Sequence, residues 1–104
     1  DLEIELTRVE PFPATRNDEV VVGIVVEAAH SRGLDLVQPE RPFSFSEDFG
    51  HFGSICPSAL IGLGAGLDTP DLHHPRYDFP DELLPFGVGL VEAAIRGLLE
   101  RYGN

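Results

Sequence analysis

Ala59-Leu60-Ile61-Gly62-Leu63-Gly64, entered through Pro57 and left through Ala65-Gly66, is the stretch on which the fold reading turns. A short, wholly apolar run of this kind suits a strand buried on both faces, as in the centre of a parallel sheet. Downstream, Leu84, Val88, Val91, Ile95 and Leu98 fall at helical spacing. Pro85 fits the first turn of that helix, and Arg96, Arg101 and Gly103 suit its C-terminal pole. Upstream, 17–33 is ambiguous by composition, because Val20, Val21, Val22, Ile24, Val25 and Val26 are β-branched and would suit a strand. The punctuation favours a helix: Asn17 as cap, Asp18 and Glu19 at the positive end of the dipole, and His30 and Arg32 before Gly33.

Further out, Leu2, Ile4 and Leu6 alternate with Glu3, Glu5 and Thr7, the period of a half-buried strand, and Pro11 and Pro13 end it. A short strand is expected at Leu34–Val37, and a brief helix starting at Ser46 or Asp48. The resulting order is strand, helix, short strand, short helix, strand, long helix. That order predicts an α/β fold without internal repeats.

With 104 residues the chain has room for one modest core. Eighteen acidic residues against seven basic ones, all arginine, give a net charge of −11. Such a field disfavours nucleic acid and anionic membrane surfaces, both of which are bound through basic side chains. No apolar stretch is long enough for a transmembrane helix, and no signal peptide opens the chain. The lone Cys56 excludes an internal disulfide and points to a cytoplasmic setting. Beside Pro57 it is expected to be a buried, inert thiol. Methionine is absent even from position 1, so Asp1 is not expected to be the natural start.

The candidates for chemistry are few. The Gly62–Gly66 run lacks the helix that a dinucleotide-binding loop must open into. No Gly-x-Ser-x-Gly elbow is present. The loop Asp71-Leu72-His73-His74-Pro75-Arg76-Tyr77-Asp78-Phe79 places two imidazoles and several carboxylates in a proline-stiffened stretch. Imidazole is the commonest protein ligand for zinc, although a surface His-His pair is more often simply solvated. Adjacent residues seldom reach one ion, so if one histidine is a ligand, the other faces substrate, a supporting carboxylate or solvent. Glu47 and Asp48 read as a helix cap or as a group that orients a ligand.

Ser46-Glu47-Asp48-Phe49, then Leu60-Ile61-Gly62-Leu63-Gly64, then Leu72-His73-His74-Pro75-Arg76-Tyr77-Asp78-Phe79-Pro80-Asp81 and Gly87-Val88, in this order and spacing, resemble the C-terminal end of the metal-dependent amidohydrolases. That family includes aminoacylases, hippurate hydrolases and indole-acetyl-amino-acid hydrolases, and is related to the co-catalytic zinc carboxypeptidases. Pro11-Phe12-Pro13-Ala14-Thr15-Arg16-Asn17-Asp18 is similar to the family's return from a smaller lid domain. Two positions depart from the pattern: Ser58, where relatives tend to carry Gly, and His74, where a small residue is common.

The resemblance implies a three-layer α/β/α zinc-peptidase-like catalytic domain over 11–104, preceded at 1–10 by the last strand of an α+β lid that mediates dimerisation. It implies a metal-dependent hydrolase of amide bonds in N-acyl amino acids or small peptides. His73 is implied as a metal ligand, with Glu47, Gly64 and His74 as substrate-facing or supporting positions. The cofactor implied is a divalent metal, Zn or Mn, with Ni or Co as alternatives. The general base and remaining ligands are expected upstream, so no catalytic residue is expected here and the isolated chain is expected to be inactive. A homodimer is implied for the full-length protein. The competing reading is a non-catalytic α/β binding or interaction module.

Overall fold

The computed structural model describes residues 2–45 and 47–103. Its helices are α1 (Glu19–Ser31), α2 (Gly50–Gly53) and α3 (Leu84–Tyr102), with a single 3₁₀ turn at Asp81–Leu83 leading into α3. The cap of α1 is Asp18, whose Oδ1 accepts from the N–H groups of Val20 and Val21, both at 3.0 Å. Asn17, expected to be the cap, is engaged elsewhere. The helix ends in a Schellman closure: Gly33 N–H donates to His30 O and Leu34 N–H to Ala29 O. Gly33 sits at φ +67°, where a β-carbon would be penalised. Leu34 then folds back onto the small core.

That core is the seam between α1 and α3. Ala28, Ala29 and Leu90 are buried there, with Val25, Ala93 and Ala94 packed around them. The α3 side of the seam follows Leu90, Ala94 and Gly97, a spacing of four and three. Gly97 is required by closeness: a β-carbon there would lie 2.7 Å from Ile24 Cγ2. At the edge of the seam Glu92 accepts from Arg96 at 2.8 Å and from Arg32, at the end of α1, at 3.3 Å. The adjacent Arg96 guanidinium, aided by Arg32, holds the Glu92 carboxyl below the usual carboxylate range.

The apolar stripe predicted to enter the core is a different one. Leu84, Val88, Val91 and Ile95 of that predicted stripe, joined by Leu99 in place of the half-buried Leu98, line the other side of α3, about 130° around the axis from the seam at 3.6 residues per turn. They are exposed, Val88 by 66%, whereas Leu90 is exposed by only 7%. A helix apolar on two sides is built to be covered on two sides.

Among the described residues no β-strand forms. The helical half of the α/β expectation is present, but Leu2–Leu6, Leu34–Val37 and Ala59–Gly64 pair with no neighbouring strand. A strand exists only through a ladder of backbone hydrogen bonds to a partner, and none lies alongside these segments. The brief helix, α2, starts later than expected; Asp48 precedes it, and Ser46 lies outside the described residues. Cys56 is exposed rather than buried, because nothing packs over it and Ile55 beside it is itself open to solvent.

The chain is correspondingly open. Its accessible surface is 9439 Å², whereas a compact monomer of 11.4 kDa exposes about 5,800 Å². Its radius of gyration is 17.4 Å, against about 13 Å for a compact domain of this length. No helix is long and apolar enough, among the described residues, to cross a membrane.

Two glycine substitutions are predicted to have opposite signs. Overpacking costs about 1–3 kcal/mol and helix propensity returns at most about 1 kcal/mol, so Gly97→Ala lowers the thermal midpoint. Gly23→Ala, with open space around the added β-carbon, raises it. Glu92 gives a pH prediction. Its folded pKa is depressed, so its contribution is present above the ordinary carboxylate pKa and disappears as pH falls through the lower folded value. The stability difference between wild type and Glu92→Gln, small for a surface pair, should therefore vanish in acid; its persistence there would contradict the assignment.

Candidate functional site

The histidine loop begins and ends on α3. Leu63 and Phe79 both border the exposed apolar groove of that helix, whose volume is about 680 Å³. Between them the backbone is tied by short-range bonds. Thr69 Oγ1 donates to Ala65 O at 2.6 Å, and Gly66 takes φ +95°. Two successive turns follow, closed by His74 N–H to Asp71 O at 2.9 Å and by Tyr77 N–H to His74 O at 2.8 Å.

His73 occupies the third position of the first turn with φ +69°. Turns with a positive φ at that position ordinarily take Gly or Asn there, and a residue with a β-carbon holds it at a cost of order 1–3 kcal/mol. The strain falls on the residue singled out as a metal ligand. Its imidazole is exposed.

His74 has a different task. Its Nδ1 accepts from Arg76 N–H at 3.1 Å, the bond an Asn or Asp side chain makes two residues ahead of itself in a turn. A neutral imidazole that accepts at Nδ1 carries its proton on Nε2. In this conformation Nδ1 of His74 is engaged within its own turn. The two neighbouring histidines therefore differ: the His74 ring is engaged within the turn, and the His73 ring is exposed.

Glu47 lies apart from them. It is half-buried in a cleft of about 550 Å³ bordered by Phe12, Asn17, Phe43, Phe45 and Leu60, and neither histidine borders that cleft. Its Oε1 accepts from Asp48 N–H at 2.9 Å, and the rings of Phe43 and Phe45 stack at 5.1 Å. Gly64 is exposed, with open space where a β-carbon would stand, so no close approach requires Gly at that position.

Imidazole nitrogen is a fitting donor for zinc and related ions, so His73 fits the implied group as a single ligand. A catalytic zinc site takes about three protein ligands. Among the described residues no three His, Cys, Asp or Glu side chains gather closely enough to hold an ion.

Sequence reasoning missed Asn17. Its Nδ2 donates to Leu60 O at 3.0 Å and its Oδ1 accepts from Leu60 N–H at 2.9 Å, while Asp18 N–H donates to Ser58 O at 2.9 Å. The signal was present: Asn17-Asp18 offers two capping residues in a row where a helix uses one, which leaves the other free.

The family model for peptidase family M20/M25/M40 matches residues 1–97. The chain belongs to that family. An N-acetyldiaminopimelate deacetylase of Streptococcus suis (strain 05ZYH33) is 33% identical over 89 residues, covering 85% of this chain and 23% of that protein. An N-acetyl-L-cysteine deacetylase of Bacillus subtilis (strain 168) is 34% identical over 85 residues, covering 81% and 20%. An uncharacterized hydrolase of Staphylococcus epidermidis is 28% identical over 106 residues, covering 96% and 27%. The chain thus spans 20–27% of the length of these relatives. No solved structure matches it significantly.

Replacing His74 tests its role in the turn. His74→Ala is expected to speed hydrogen exchange at the Arg76 amide, whereas His74→Asn, which can accept the same bond, keeps it slow.

Proposed function

We propose that this M20-family chain is the C-terminal part of a metal-dependent hydrolase that cleaves the amide bond of N-acyl amino acids or small peptides. The observation that carries the reading is His73: an imidazole at a strained, left-handed turn position, within the Leu72-His73-His74-Pro75 motif of a chain whose matched relatives include named deacetylases. His73 would hold a divalent ion, which when bound would supply a water with its pKa lowered toward about 7 and would polarise the scissile carbonyl. Zinc or manganese is the expected ion, with nickel or cobalt as alternatives.

The chain's own residues do the rest of what is proposed here. His73 holds one coordination position, and the turn from Asp71 to His74 fixes where its ring starts. His74, with its proton on Nε2, offers a donor to a substrate oxygen. Glu47 and the Gly62–Gly66 turn face substrate or support the site less directly.

The three-layer α/β/α architecture belongs to this proposal, with 1–10 as the last lid strand and 11–104 as catalytic domain. The exposed stripe of α3 and the excess surface of the chain support it, since both match a helix layer awaiting the sheet it covers. A homodimer and a cytoplasmic location complete the reading. The general base and other ligands are assigned to the rest of the polypeptide, so the 104-residue chain alone is inactive.

In the complete polypeptide, His73→Ala is predicted to lower hydrolysis of N-acetyl amino acids at least about 100-fold, the upper end of what losing a mere supporting partner of a ligand costs. Bound metal should fall with it. Full activity and metal content in the variant would overturn the assignment of His73 as a ligand, and absence of both from the wild-type polypeptide would favour the binding-module reading.

A further inference from the structure

We infer that Asn17 is a positioning residue for the His73 loop, acting through the backbone of Leu60 at the root of that loop; the inference rests on the hydrolase reading above. The Asn17 amide donates to Leu60 O and accepts from Leu60 N–H at 3.0 and 2.9 Å, satisfying both backbone groups of one residue at a sequence separation of 43. This is the pattern one residue of a neighbouring strand would offer. The adjacent Asp18 ties its own N–H to Ser58 O and its carboxylate to the first turn of α1. Leu60 is thereby referred to the start of α1, and α1 is packed on α3.

The loop between Leu60 and Phe79 carries no regular secondary structure. Its internal bonds, Thr69 to Ala65, His74 to Asp71 and Tyr77 to His74, fix its local shape and not its place on the molecule. Its place is set at the ends, by Leu63 and Phe79 on α3 and by Leu60 on Asn17. Contacts of apolar side chains tolerate sliding; a paired amide does not, because a shift of one ångström breaks both bonds. Asn17 therefore fixes where His73 is presented.

The test uses the complete polypeptide and Zn²⁺ alone, with affinity measured by competition against a chromophoric chelator and thermal midpoints recorded alongside. Asn17→Asp keeps the size of the side chain and the acceptor for Leu60 N–H, but sets a second oxygen against Leu60 O. It is expected to weaken zinc binding at least about ten-fold, as loss of a residue that orients a ligand does. His73→Ala is expected to lose at least as much. Gly33→Ala, which strains the closing turn of α1 at the opposite end of that helix from Asn17, is expected to lower the midpoint without changing zinc affinity. Asn17→Asp at wild-type affinity, or Gly33→Ala weakening zinc as much as Asn17→Asp does, overturns the proposal while leaving the hydrolase reading intact. His73→Ala at wild-type affinity overturns that reading and this one together. If Asn17→Asp does not fold, Asn17→Ser is the milder variant, with a smaller loss expected in the same direction; wild-type affinity in folded Asn17→Ser also overturns the proposal.

Discussion

Leu60 has backbone groups that a sheet would pair, and the Asn17 side chain pairs them instead. Everything that hangs on the segment after Pro57 depends on that substitution of an amide for a strand. A backbone donor and acceptor buried without partners costs more than a hydrogen bond gains, so a chain that brings Leu60 toward a protein environment needs such a partner at hand. Asn17 is placed for it because Asp18, the next residue, caps α1. The cap and the clamp are adjacent, and together they refer the histidine loop to the helical layer.

That layer is the other constraint. α3 carries two apolar stripes and spends one on α1, where Gly97 lets Ile24 approach. The second stripe stays open, from Leu84 to Leu99. Burying it would return roughly 25 cal/mol for each Å² removed from water, so on the fragment reading the rest of the family domain supplies both the covering surface and the stability that this chain lacks. The same reading accounts for segments with strand character and no strand partner: the period-two pattern of Leu2, Ile4 and Leu6 and the apolar run at Ala59–Gly64 are suited to ladders formed with other parts of the polypeptide.

The helices were legible because their signals are local. Asp18 and Glu19 at one end and Gly33 at the other bound α1 despite its β-branched interior, and Pro85 and Gly103 frame α3. The family was legible because the Leu72–Asp81 motif and Glu47-Asp48-Phe49 keep their order and spacing, and the match over residues 1–97 agrees. What could not be read was anything set by distance across the chain. Periodicity marked Leu84, Val88 and Val91 as a core face without saying which partner meets it, and the seam lies on Leu90, Ala94 and Gly97 instead. The positive φ of His73 and the engagement of His74 Nδ1 also have no sequence signature, since both follow from how two consecutive turns close.

The most direct measurement is a crystal structure of the complete polypeptide with zinc, with the ion located by its anomalous scattering. The account predicts zinc within about 2.0–2.1 Å of an imidazole nitrogen of His73. Zinc bound by other residues with His73 outside its coordination sphere would contradict it.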